Sequence, residues 1–442
     1  MEAAPKTSLA MRKEDKKPVV IYDQGLFVEI APVLARTFGK VYYFSPWASA
    51  EARSNAMLVG YGLPGVERID AWQPYAEEGA LFVFPDIYDG PLQELMEEKL
   101  GVRVWGSRMA EDLELDRLLA KQVYKAVNLS VGKYKIAPGL DALRDLLKDE
   151  QDRYVKLSFT RGDMETFHSP NYAAVEPRLN DLAMVMGPWA HHKTFIVEEP
   201  IPDAVEIGID AYTVDGMFPK KAMVGIEAKS KAYIGRFMDW KDIPKELSGV
   251  HEALAPYLEY TRCRNFFTVE TRITEDRKAY PLDACVRFAN PPGYLAMEMY
   301  ENLASIIDRG ADGEMVEPEP KAEWGVEIKL VSAWATKHHQ PITFPKKYER
   351  NLRFSFCARI PTEDQPEDKI TVYVLPQLAE RDVIGSAIGW GDTPEEAADM
   401  AREAAAAMDS YGIDVMDDGV YDAAEEWQKA IDWGLLEAPN YA

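Results

Sequence analysis

The spacing of apolar and polar positions changes character along the chain. In the first hundred residues, short runs rich in β-branched and aromatic residues, PVVIY (18–22), KVYYFSP, ALFVFPDI and VRVWG, read as strands. Between them, LFVEIAPVLARTFG reads as a helix ending at Gly39, and GPLQELMEEKLG as a helix opened by Pro91 and closed by Gly101. Strands that alternate with helices predict a parallel, doubly wound sheet.

The middle of the chain has a different pattern. MAEDLELDRLLAKQVYKAVNL is strongly helical, with Leu115, Leu118, Leu119, Val123 and Val127 close to one face, and DALRDLLKDE is a second short helix. RYVKLSF is a strand carrying Lys156, and HKTFIVEEPIP is a strand ending in adjacent acids. VEIGIDAYTVDG and KKAMVGIEAK read as an antiparallel pair, and RNFFTVETRITEDRKAYPLDACVRF as a hairpin turning near Glu275 and Asp276. GYLAMEMYENLASIIDRGADG then reads as one helix. Further on, LRFSFCARI and ITVYVLP are strands. In GWGDTPEEAADMARE, Thr393 as N-cap, Pro394 in the first turn and Glu396 completing a capping box open a helix that Gly412 ends. An amphipathic helix, VYDAAEEWQKAIDWGLL, follows. The expected units are a mobile polar arm over 1–17, an α/β unit over 18–108, a middle unit over 109–318 and an α+β unit over 319–442.

Composition narrows the function classes. The 442 residues are 47% hydrophobic and 28% charged, ordinary for a globular protein. A net charge of -24 opposes broad binding to nucleic acid, which needs a basic surface, but allows a small phosphate-bearing ligand in a locally basic cleft. Cys263, Cys285 and Cys357 have no metal-ligand spacing and build no disulfide framework, which fits a reducing, cytoplasmic setting. No apolar run has the length of a membrane span.

The hairpin carries the candidate chemistry. Period-2 alternation places Thr268, Glu270 and Arg272 on one face of its first strand, and Asp283, Cys285 and Arg287 on one face of its second. Adjacent antiparallel strands can set Glu270 beside Asp283. Facing carboxylates repel unless a cation or a proton separates them, and magnesium shared with nucleotide phosphates is a natural mediator. Removing one acid is then expected to relieve a like-charge contact. A salt-bridged strand pair using Arg272 and Arg287 explains the same pattern, and the pattern alone leaves both open.

Three further segments, WGSRMAEDLELDRLLAKQVYKAVNLSVGKYKI, YVKLSF and FIVEEPIPDAVEIGIDAY, occur in order before DACVRFANPP. Together they resemble the ATP-grasp superfamily of carboxylate–amine ligases, and within it the phosphoribosylamine–glycine ligases. The family's metal strand reads Glu-x-Asn-x-Arg-Phe-Gly-x-Pro, matched here by Asp283, Cys285, Arg287, Phe288, Ala289 and Pro291. The resemblance implies an ATP-grasp fold, with an N-terminal doubly wound parallel sheet domain, a central ATP-grasp module and a C-terminal β-rich domain. It implies an ADP-forming ligase that joins a carboxylate to an amine through an acylphosphate. ATP and Mg2+ are the implied cofactors, and the implied partners are small-molecule carboxylates and amines, with room for a homodimer.

Site residues follow from the same resemblance. Arg117, with Lys121 one turn later, stands where the family has a phosphate-binding lysine, and Lys156 matches the lysine that contacts the nucleotide. Glu198 and Glu199 match the acids that read adenine and ribose, and Glu206 fits the next acidic position. Glu270 and Asp283 match the magnesium acids, and Arg287 the contact to the transferring phosphoryl group. Lys229, Lys231 and Arg236 fall where a long loop touches phosphates.

Three departures qualify the match. SFTRGDMETFHSPNY has one glycine, Gly162, where the family has a glycine-rich loop, so Arg161 is the residue expected on a phosphate. Cys285 replaces a metal-ligating asparagine, and a thiol is a poor magnesium ligand. IYDQGLFVEIAP has only Gly25 where the family carries its phosphoribosylamine signature, which leaves the substrates open. A nucleotide-binding protein of this fold with lost or altered catalysis is an alternative, as is a ligase in nucleobase or amino-acid modification.

Overall fold

The computed structural model describes residues 17–46, 58–158, 166–360, 366–376 and 382–438. Arg161 and the arm before residue 17 lie outside the described residues. Five parallel strands, β1 (Val19–Tyr22), β2 (Val41–Phe44), β3 (Val66–Arg68), β4 (Leu81–Val83) and β5 (Arg103–Trp105), stand in the order β3-β2-β1-β4-β5. β1 and β4 are buried along their whole length, which is why they read as unbroken apolar runs. The order reverses between them, so their carboxyl ends flank a crevice of the kind where doubly wound sheets place ligands. Asp23 follows β1 directly, and Asp86 lies just beyond β4.

A second sheet is antiparallel and small: β6 (Tyr134–Pro138), β7 (Arg153–Leu157), β8 (Thr166–Ser169) and β9 (Thr194–Glu198), in the order β6-β9-β7-β8. The helices Leu140–Lys148 and Tyr172–Met186 contribute Leu143, Leu147, Leu179 and Leu182, which pack with Val155 and Phe195 into an apolar cluster of its own.

The largest sheet has nine strands. β10 (Ala204–Val214), β11 (Lys221–Ala228), β12 (Ala232–Asp239), β13 (Arg264–Thr274) and β14 (Ala279–Cys285) form one half. β15 (Trp324–Val331) pairs with β12 and carries the sheet on past residue 318. After β16 (Gln340–Pro345) come β17 (Leu352–Phe354), β18 (Cys357–Ala358), β19 (Lys369–Val374), β20 (Val383–Gly391) and β21 (Asp414–Val415). The long sheet runs β14-β13-β10-β11-β12-β15-β20-β17, with β21 beside β15, while β16, β19 and β18 make a small third antiparallel sheet. One large core joins the parallel sheet to this long sheet, through residues such as Phe27, Leu34, Tyr294, Leu295 and Val326. Among the described residues no helix is long and apolar enough to cross a membrane.

Three helices differ from their sequence expectation. The first long one breaks at Asp116 (φ -107°, ψ 89°), whose carboxylate accepts from Leu118 N at 3.0 Å and Leu119 N at 3.1 Å and so caps α1 (Arg117–Ala126). That helix buries Arg117, Ala120, Lys121 and Tyr124 and leaves Leu118, Leu119 and Val123 only partly covered. Two cations face inward because α1 borders a charged cleft, so the apolar stripe is not the deciding face. The expected single helix after the hairpin is two, α2 (Gly293–Met299) and α3 (Leu303–Gly310). It breaks at Tyr300 (φ -93°, ψ 95°), whose backbone bridges to Pro320. The capped helix, α4 (Pro394–Ala406), begins as expected with Thr393 accepting from Glu396 N at 3.2 Å. It ends well before Gly412, which takes its left-handed conformation in a later turn.

Candidate active site

The hairpin register puts Glu270 directly opposite Asp283 and Thr268 opposite Cys285, with a shift just after Glu270. Ala284 and Val286 enter a core cluster, so the alternating Asp283, Cys285 and Arg287 are left toward the cleft. Both acids are neutralised, but not by Arg272 and Arg287. Asp283 accepts from Lys156 Nζ at 2.7 Å and from Arg117 Nε at 3.2 Å. Arg117 also donates through Nη1 to the Leu157 carbonyl at 2.8 Å, which ties α1 to the end of β7. Glu270 pairs with Lys229 at 2.7 Å, and Lys229 reaches Glu206 at 3.1 Å and Glu227 at 3.5 Å. Arg272 lies 3.7 Å from Glu206.

The two facing carboxyls are pushed in opposite directions. Burial raises Asp283, but Lys156 and Arg117 outweigh it and hold the group well below the usual carboxylate range. Burial also raises Glu270. Lys229 opposes that, while Glu206, Glu227 and Asp283 add to it, and the net shift is upward. Lys156 is buried between Asp283 and Glu198, whose Oε2 is 3.3 Å away, and the other oxygen of Glu198 meets Lys121. Burial disfavours its ammonium, yet these acids win and keep it charged. Glu199 turns outward, paired with Lys133 at 3.6 Å.

Arg287 sits where the cleft reaches the parallel sheet. Its Nε donates to Glu114 Oε1 at 2.8 Å and lies 3.5 Å from Asp86 Oδ1, and its Nη1 donates to the Phe288 carbonyl at 2.8 Å. Glu114 also accepts from Val286 N at 2.8 Å, so one acid fixes both the strand exit and the guanidinium. Arg287, Asp210, Thr268, Phe266, Phe288 and Pro292 line a cavity of about 10 Å³. Cys285 Sγ faces the Arg287 carbonyl at 3.8 Å. Lys231 and Arg236 point elsewhere. Lys231 binds Asp418 at 2.6 Å and Asp422 at 2.8 Å, and Arg236 binds Glu323 at 2.7 Å, so Lys229 alone of these three joins the acids.

Four cleft residues escaped the sequence reading: Asp86, Glu114, Asp210 and Glu227. Asp210 had a readable sign, since Glu206, Gly208 and Asp210 alternate on one face of β10. Glu114 had none, because an acid in a helix usually marks a solvated face.

Among the described residues no group of three or more His, Cys, Asp or Glu is placed to hold a metal ion by itself. Two opposed carboxylates bordered by cations suit instead a hard divalent ion shared with phosphate oxygens, the manner in which magnesium is usually held. Cys285 adds no hard ligand to that set.

No protein-family model matches the chain, and no curated protein sequence does. Solved structures match over nearly the whole length. The phosphoribosylamine–glycine ligase of Thermotoga maritima has a TM-score of 0.66 at 15% identity, over 90% of this chain and 98% of that one. The biotin carboxylase domain of Hydrogenobacter thermophilus 2-oxoglutarate carboxylase, solved with MgADP, ADP and bicarbonate, has a TM-score of 0.65 at 12% identity, over 96% of this chain and 99% of that one. The N5-carboxyaminoimidazole ribonucleotide synthetase of Thermotoga maritima has a TM-score of 0.58 at 13% identity, over 90% and 100%. At these identities the likeness is one of fold.

Proposed function

Since the chain has the ATP-grasp fold, we propose that it is an ATP-dependent ligase that activates a carboxylate as an acylphosphate and joins it to an amine, releasing ADP and phosphate. The observation that supports this best is the meeting of Lys156, from the small sheet, with Asp283, from the long sheet, across one cleft. A magnesium nucleotide needs both partners: cations for its phosphates and hard anions for its metal.

In this reading Glu270 and Asp283 hold magnesium, which when bound neutralises and orients the phosphate oxygens. Lys156 and Arg117, with Lys121 beside them, take the phosphates, and as they do so Lys156 and Arg117 are released from Asp283. Glu198, close to both lysines, serves as their counter-ion, and the outward Glu199, paired with the exposed Lys133, is the acid that accepts from the nucleoside. Arg287, clamped by Glu114, faces the reacting carboxylate and stabilises the charge that gathers during phosphoryl transfer. The glycine-poor segment around Arg161 and the soft Cys285 favour a second reading, in which the chain binds nucleotide without turning it over.

Purified protein with Mg2+ and ATP, screened against amino acids and primary amines, separates the two. ADP release that requires carboxylate and amine together supports the ligase. Nucleotide binding without ADP release across the panel supports the second reading.

A further inference from the structure

The ligase reading lacks one group. An amine is protonated at neutral pH and has no lone pair for attack, so a base must take a proton where nitrogen meets the acyl carbon. We propose that Asp210 is that base, and that the cavity it shares with Arg287 seats the ammonium group of the amine substrate. This rests on the ligase reading.

Position is the first argument. Glu206, Gly208 and Asp210 alternate toward the cleft along β10, and Asp210 lies at the Arg287 end of that row. The cavity between them, about 10 Å³, has room for about one non-hydrogen group. The ammonium head of an amine matches that space, and a phosphate is too large for it. Its lining combines the apolar Phe266, Phe288 and Pro292 with Thr268 and with Arg287, whose charge is matched by Glu114 and Asp86, so the carboxylate that faces a charged nitrogen there is Asp210.

Orientation is the second. The Tyr233 hydroxyl donates to Asp210 Oδ2 at 2.5 Å. Its ring lies flat over two glycines: a Cβ on Gly225 would stand 1.9 Å from the hydroxyl oxygen, and one on Gly235 2.6 Å from the ring. The Tyr300 hydroxyl donates to the Asp210 carbonyl at 3.2 Å, so both backbone and carboxylate are held. The groups facing Asp210 are Tyr233 and Thr268, which stabilise its anion, Glu227 and Glu327, which oppose it, and Arg287 across the cavity. Burial is the largest influence and pushes the group up to about 7, the range a base needs to act near neutrality.

The step balances. The ammonium gives one proton to the Asp210 carboxylate, the freed lone pair forms the C–N bond, and the bond from acyl carbon to phosphate oxygen breaks. The second proton leaves nitrogen with the departing phosphate, and Asp210 returns its proton to water.

Hydroxylamine is largely unprotonated at neutral pH and needs no base, whereas methylamine is protonated. The proteinogenic amino acids serve as carboxylate donors, with each acceptor in turn, for the wild type, Asp210→Asn and Tyr233→Phe. We expect Asp210→Asn to keep hydroxamate formation within about 3-fold and to lose about 100-fold or more with methylamine. Its warming by magnesium-ATP in a melting assay stays as in the wild type. Tyr233→Phe shows a smaller loss with methylamine alone, and decides the matter if Asp210→Asn does not fold. Equal losses with both acceptors, or none with either, overturn the role of Asp210. A wild type that makes no hydroxamate from any donor overturns the ligase reading itself.

Discussion

Asp283 and Glu270 stand opposite each other on adjacent strands, yet they are neutralised from different sides. Asp283 is held by Lys156 of β7 and Arg117 of α1, and Glu270 by Lys229 at the turn of its own sheet. The facing acids are therefore not the bare like-charge pair that the sequence suggests.

That difference reverses an expectation. Asp283→Asn leaves Lys156 and Arg117, whose side chains are only 6% and 8% exposed, without their shared anion. It should cost about 2 kcal/mol, less than the loss of a fully buried partner because Asp283 itself is 27% exposed. Glu270→Gln should change stability by less than about 1 kcal/mol, since Lys229 is 54% exposed and keeps Glu206 and Glu227. Both should lower magnesium-dependent ADP release by orders of magnitude. Urea denaturation of the two variants checks the contrast, and a more stable Asp283→Asn would refute it.

Metal and nucleotide should bind as a pair. Magnesium alone meets carboxylates already matched by cations, and ATP alone meets cations already matched by carboxylates. Together each takes the partners the other releases. Melting temperature should thus barely respond to millimolar magnesium and rise clearly with magnesium plus ATP, by the equivalent of about 2.7 kcal/mol at a hundredfold excess over Kd. A large rise with magnesium alone would show that the acids are open to it.

Ligand-free stability should fall as pH rises toward neutrality. Burial, the largest influence on each, pushes Asp23, Glu111 and Asp210 up to about 7 and Asp89 to about 6. Unfolded carboxyls titrate near about 4, so between about pH 4 and 7 the folded chain keeps protons that the unfolded chain gives up. Asp283 acts in the other sense: its contribution is whole above about pH 4 and is lost only in acid. Melting should be higher at about pH 6 than at about pH 8, and remain so at high salt, where general repulsion from the net charge of -24 is screened. Equal melting at both pH values would contradict these burials.

Cys285 should prove dispensable. Its sulfur makes a weak contact with the Arg287 carbonyl at 3.8 Å and offers magnesium no hard ligand. Cys285→Ala should leave turnover within about 3-fold, and Cys285→Asn should keep or raise it. Abolished activity in a folded alanine variant would point to a reactive thiol.

The strands and the acid pair were legible because period-2 alternation is local: β13 and β14 need only their own residues to fix which side chains share a face. The counter-ions were not, because Lys156, Arg117 and Lys229 come from three other elements, and only packing brings them to the hairpin. The stripe on α1 misled for a related reason. Apolar spacing predicts burial against a greasy neighbour, whereas Arg117 and Lys121 are buried against Asp283 and Glu198.

The small four-stranded sheet keeps its leucine-rich interior to itself, and the bonds that fasten it across the cleft are polar: Lys156 to Asp283, Lys121 to Glu198, and Arg117 to the Leu157 carbonyl. Swinging it open would break those polar bonds and leave its own apolar cluster covered. Such a movement would make it a latch of charges rather than a flap of oil, and its opening should then answer to ionic strength far more than to temperature. In the proposed ligase, a nucleotide that carries its own charges would be both the cargo and the key.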